Sequence, residues 1–149
     1  MSTSPTSWHH PLQRAINDMV TNMLSTNWRT KRATKVESDT GYHGSIITAW
    51  NLRYHQTRVV SVGRDSFRLY TGGHATVTTK ARMNAVLPLG WRVYQEQFDW
   101  YLRLPTGHSV RFAEWVNVRK GVRDGADVFI VETDLSLDGG AFPCFQERE

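Results

Sequence analysis

The chain has 149 residues, 40% of them hydrophobic and 21% charged, with six Trp, six Phe and five Tyr; that excludes a wholly disordered chain and suffices for one domain with a core needing no metal or disulfide staple. Its single cysteine, Cys144, excludes an internal disulfide or a multi-cysteine zinc site and fits a reducing compartment, and no apolar run or leader marks a membrane span or secretory signal. The net charge of +4 is uneven: residues 1–120 hold 16 Lys or Arg against 7 acids, residues 121–149 hold 2 against 7, so either a basic binding surface with an acidic end or an ordinary solvated surface follows.

Behind a polar leader that holds the adjacent His9 and His10, the residues Leu12, Ile16, Met19, Val20, Met23 and Leu24 recur at three- and four-residue spacing and predict a helix over 10–28. Its apolar stripe covers the protein's own sheet or, alternatively, forms a homodimer seam. The next stretch, 29–43, opens with Arg29, Lys31, Arg32 and Lys35 and reads as a basic linker or an arm that touches phosphates. An α+β core is expected over 44–132. Strands form around Ile46 to Tyr54, Val60 to Val62 and Phe67 to Leu69, with a fourth beginning at Ala75 and Val77 after the Gly72-Gly73 reversal.

Thr78 or Thr79 then caps a short helix from about Thr79 to Leu87, stopped by Pro88 and Gly90. The aromatic stretch Trp91 to Leu104 predicts a tight hairpin, followed by strand residues Val110, Phe112 and Trp115 and a late strand Val128 to Val131 between Gly121–Asp127 and Asp134. Residues 133–149 read as an acidic, loose tail. The fold expected is thus an antiparallel sheet of five to seven short strands with an N-terminal amphipathic helix and a short helix between strands.

The segment Gly72-Gly73, Thr78-Thr79-Lys80-x-Arg82-Met83-Asn84, Val93-Tyr94-Gln95 and Trp100-Tyr101 resembles small uncharacterised proteins of tailed bacteriophages over some 60 residues, from Tyr42 to Arg103. The resemblance implies a phage origin and a place in the host cytoplasm or the virion, and it implies no activity.

Three binding readings compete. Nucleic acid would meet Lys80 and Arg82 in the first turn of the helix, where free amides favour an anion, with Thr78 and Thr79 beside them. Arg53, Arg68, Tyr70, Arg92 and Tyr94 interleave cations with rings that bases stack on, and the Arg29, Lys31, Arg32, Lys35 arm adds charge. A host or phage protein would dock on the arm or the N-terminal helix through Trp, Tyr and Arg. A small phosphorylated ligand would take its donors from Thr76, Thr78, Thr79, Lys80 and Arg82.

No enzyme activity, cofactor or metal is expected. The histidines, including His43, His55, His74 and His108, lack zinc-helix spacing and read as surface or loop residues. Cys144 lies in the tail, away from any helix start, and reads as inert. A carboxylate pair between Asp99 and Glu114 is the one acid–base candidate. The run Asp134 to Gly139 matches the opening of a calcium loop but carries Phe145 where a bidentate acid belongs, which favours an acidic turn.

Overall fold

The computed structural model describes residues 9–41, 44, 46–135 and 139–145. Among them the chain runs α1 (Pro11–Ser25), β1 (Thr34–Thr40), β2 (Ile47–Tyr54), β3 (Thr57–Val62), β4 (Ser66–Tyr70), α2 (Val77–Val86), β5 (Arg92–Glu96), β6 (Asp99–Arg103), β7 (Ser109–Phe112), β8 (Trp115–Arg123), β9 (Ala126–Thr133) and β10 (Gly140–Pro143). One sheet has the order β1-β2-β3-β4-β8-β9-β10, and β5-β6-β7 form a second. All the pairings are antiparallel, as short strands on short turns require. The class is α+β as expected, and the aromatic hairpin joins β7 in a sheet of its own.

Successive side chains on a strand point to opposite faces, so the register sorts the large sheet into an apolar and a polar side. Leu52, Val60, Leu69 and Val116 share one apolar rung; Trp50, Val62, Phe67, Val118 and Val131 share the next. That side is covered by α1, α2 and the inner side of β5–β7, and all contribute to one buried cluster. Trp91 packs edge-on against Phe67 and Phe129, with ring centroids 5.3 and 5.1 Å away. The stripe of α1 faces α2, β3 and β4, so it covers the protein's own sheet, although Leu24 is 53% exposed.

Side chains fasten the helices to the sheets. Asn84 on α2 both accepts from Val93 N–H (2.8 Å) and donates to its carbonyl (2.9 Å), standing in for a neighbouring strand beside β5. The Nε1 of Trp28 donates to Met23 O at 2.7 Å in the 3-10 turn Trp28–Thr30 that follows α1. His10 departs from the surface role expected of it. It is 2% exposed and caps α1, its Nδ1 accepting from Leu12 N–H while Nε2 lies 3.1 Å from the carbonyls of both Gly121 and Val128. An acceptor at Nδ1 and a donor at Nε2 define the neutral Nε2–H imidazole.

Four expectations are corrected. The linker 29–43 contains β1, whose only apolar residue is Val36; as an edge strand it rests on backbone pairing to β2, which leaves no hydrophobic alternation to read. The fourth strand at Ala75–Val77 is absent, because Thr76 caps α2 and the helix begins at Val77. The helix over 10–28 ends at Ser25. Residues 140–144 of the tail are packed, while 136–138 and 146–149 lie outside the described residues: β10 pairs with β9, and Cys144 is buried with its N–H on Asp127 O. Burial first, and then the negative charge of Asp127, push its thiol up to about 12. Cys144 is therefore expected to resist iodoacetamide at pH 8 in the native protein and to react readily once denaturant exposes it, as intact-mass spectrometry would show.

Candidate nucleic-acid interface

The polar side of the large sheet concentrates arginine and aromatic side chains. Glu37, Asn51, Ser61, Arg68, Asn117 and Glu132 follow one another across six strands; Lys35, Arg53 and Arg58 form a second row, and Tyr70 pairs with Trp115 beside Arg68. The Arg68 guanidinium lies over both rings, 5.5 Å from the Tyr70 centroid and 5.1 Å from that of Trp115. A guanidinium attracted to ring faces in this way keeps its N–H donors for a phosphate. Arg68 has no carboxylate partner among the described residues.

The acids on this side are outnumbered. Glu37 is shared by Lys35 (3.7 Å), Arg53 (3.3 Å) and Arg58 (3.8 Å), Asp39 takes Arg58 at 3.1 Å, and Glu132 takes Arg119 at 3.2 Å. These exposed pairs are worth well under about 1 kcal/mol each and yield readily to a stronger anion. One polar atom is left over: Asn51, 1% exposed, has no hydrogen-bond partner for Nδ2 among the described residues. A buried donor of this kind costs about 1–3 kcal/mol unless a water or a ligand meets it.

Two shallow depressions continue the surface. One, of about 630 Å³, is lined by Arg53, Arg58, Arg68 and Tyr70; the other, of about 540 Å³, is lined by Arg29, Lys31, Arg32 and Lys35, and both include Arg53 and Gln56. The strand pairing of β1 thus brings the basic arm alongside the sheet arginines. Gly72 forms part of the wall at φ +63°, and a Cβ there would stand 2.7 Å from Thr57. Any larger residue would be strained and would push the turn off β3.

A family model described as Kyanoviridae Gp96 protein matches residues 12–125. The chain belongs to this family. It is a tailed-phage protein, and the Gp96 match spans α1 through β8, hence both the core and most of the polar face. No curated protein and no solved structure matches it.

The other residues singled out in the sequence are distributed differently from expectation. Thr76, not Thr78 or Thr79, caps α2, its Oγ1 accepting from Thr79 N–H at 3.1 Å, so Lys80 and Arg82 fall in the second turn. The first-turn seat of free amides beside two cations is not built. Instead Lys80 Nζ lies 5.9 Å from the Trp100 ring centroid, while Arg82 donates to Thr34 Oγ1 (2.9 Å) and lies over Tyr54, next to the arm. Thr78 is half-buried on α2 and Thr79 is buried against Thr76. Arg92 and Tyr94 occupy the outer side of the small sheet, where Tyr94 stacks on Tyr101 at 5.2 Å and Arg103 lies over it. That is a separate cation–aromatic patch, divided from Arg68 by the core. Sequence reasoning missed Trp115 and Asn117 as neighbours of Arg68; the Val116, Val118 alternation was the signal that a strand there would present them.

The carboxylates settle into structural roles. Asp99 faces Arg111 at 3.8 Å rather than Glu114. Asp134, the first residue of the calcium-loop match, accepts from the N–H groups of Ala113 (3.0 Å), Glu114 (2.9 Å) and Trp115 (3.4 Å), which clamps the β7–β8 corner; residues 136–138 of that match lie outside the described residues. Burial alone would raise its carboxyl, but the three backbone donors outweigh it and hold Asp134 below the ordinary aspartate value. A lowered folded value means that the contribution is complete above about pH 4 and fades as pH falls through the lowered value. Asp134→Asn is expected to cost about 1 kcal/mol at pH 7 in urea unfolding, with the gap to wild type narrowing as pH falls below about 4.

Proposed function

We propose that this phage protein is a non-catalytic nucleic-acid-binding protein of the host cytoplasm, and that the polar side of its seven-stranded sheet is the contact surface. The observation that carries the reading is Arg68, held between Tyr70 and Trp115 with no carboxylate partner among the described residues, in line with Arg53 and the Arg29–Lys35 arm. Cations placed for phosphates and rings placed for bases are the two parts that sequence-tolerant nucleic-acid surfaces combine. Fluorescence anisotropy with labelled single- and double-stranded DNA and RNA tests it. For about four phosphate contacts to a single strand, the salt slope is near −3 and affinity falls about fifty-fold between 50 and 200 mM salt. No binding at 50 mM salt would sink the reading.

A second reading, docking on a host or virion protein, draws on the β5–β6 turn. Gln97 and Phe98 both have positive φ, 50° and 72°, where Asn-Gly is favoured, and Phe98 is 91% exposed between Glu96 and Asp99. Acids beside the ring repel phosphate and suit an apolar protein pocket with a basic rim. Gln97→Asn combined with Phe98→Gly is expected to raise stability by about 1 kcal/mol in thermal melts, which would identify the turn as one maintained against the preference of the fold.

A further inference from the structure

A third concavity, more enclosed than the two basic depressions, opens beside the β2–β3 turn at the N-terminal end of α2. It holds about 380 Å³, within the range of small-ligand pockets of about 300–1,000 Å³. Its walls are Tyr54, His55, Val59, Thr71, His74 and Thr79, and no charged residue lines it apart from what the imidazoles carry. Thr71 and Thr79 are each 1% exposed and their hydroxyls are engaged by Gly73 N–H and Thr76 Oγ1, so the hydroxyls open to a ligand are those of Tyr54 and Thr57. Without a Lys or Arg in the lining, the pocket does not suit a phosphate or any other anion. Flat rings, a valine and a few hydroxyl and imidazole hydrogen-bonding groups suit a neutral heteroaromatic ring.

The surroundings say what that ring would be attached to. His55 and Gln56 belong also to the depression of the basic arm, while Gln56 and Thr57 belong to that of Arg53 and Arg68. The mouth therefore lies between two groups of cations, and a ring seated inside would place its attached phosphates over one or both. His55 itself stands at φ 55°, a conformation that a non-glycine residue adopts at a cost, and its ring lies 4.4 Å from that of Tyr54 at the rim.

We propose that this pocket receives one nucleobase of the bound strand, which makes the preferred ligand single-stranded. The inference rests on the nucleic-acid reading above. A duplex would have to unpair and turn out a base to fill the pocket, at a cost of a few kcal/mol, whereas a single strand offers unstacked bases to rings without that cost.

The test compares a short single-stranded DNA oligomer with an abasic deoxyribose-phosphate oligomer of equal length, which keeps every phosphate and lacks every base. Wild-type protein is expected to bind the base-bearing strand more than about tenfold tighter, and Val59→Phe, which fills the pocket, should cut that preference by about tenfold, the effect of one stacked base, with unchanged affinity for the abasic strand; what remains reports bases on Tyr70 and Trp115, and a preference that Val59→Phe leaves unchanged overturns the pocket. Should Phe at this buried position unfold the chain, His74→Trp at the exposed rim serves the same purpose. Equal binding of the two strands by wild type overturns the pocket while leaving the basic face in place; no binding of either overturns both. Nucleoside monophosphates as competitors separate the sources of the base. Displacement only at large excess supports a base carried by a strand, and displacement at equal concentration assigns the pocket to free nucleotide and overturns the strand-borne form.

Discussion

The His10→Ala protein is expected to unfold with about 3 kcal/mol less stability than wild type, seen as a melting temperature lower by about 10 °C. The ring connects three segments: the Leu12 N–H at the start of α1, and the Gly121 and Val128 carbonyls on β8 and β9. Truncation orphans one donor and two acceptors in a buried site, each a cost of about 1–3 kcal/mol before relaxation, and leaves a void beside Phe129. Asn in the same place restores the cap on Leu12 but does not span to the strands, so His10→Asn should recover about 1 kcal/mol. A His10→Ala protein as stable as wild type would mean that α1 is not fastened to the sheet in this way.

Arg53→Ala together with Arg68→Ala is expected to weaken binding of single-stranded nucleic acid by more than about tenfold at 50 mM salt and to flatten the salt slope by about 1.4, the equivalent of two phosphate contacts. Stability should change by less than about 1 kcal/mol, because Arg68 has no carboxylate partner among the described residues and Glu37 keeps Lys35 and Arg58 when Arg53 is lost. Lys80→Ala is the matched control. Its ammonium is drawn to Trp100 on the small sheet, so binding should change by less than about twofold. Equal losses from Lys80→Ala and from the arginine pair would return the site to the start of α2.

Much of the architecture was legible because the large sheet has unlike sides. Leu52, Val60, Val62, Phe67 and Leu69 alternate with polar residues, and that period of two identified β2, β3 and β4. β1 was hidden because a polar edge strand is held by hydrogen bonds that leave no pattern in side chains. β8 was hidden because Lys120 and Gly121 interrupt its apolar alternation: Lys120 is buried on a contact with Asp65 at 3.1 Å, and the space of a Cβ at Gly121 is filled by Ile130. Of the site, Arg53, Arg68 and Tyr70 were evident as cations and rings on strands, but the Tyr70–Trp115 pairing that encloses Arg68 arises only when β8 returns beside β4. Placing the cap two or three residues too late put Lys80 and Arg82 in a first turn that they do not occupy.

The central claim, that nucleic acid lies across the polar side of the large sheet, is tested most directly by photo-crosslinking a single-stranded oligomer containing 5-iodouracil and mapping the adducts by peptide mass spectrometry. The predicted adducts fall on Tyr70 and Trp115 and on the β2–β3 turn at Tyr54 and His55, where rings and cations meet. Adducts confined to Tyr94 and Tyr101 on the small sheet, with none on β4 or β8, would contradict it.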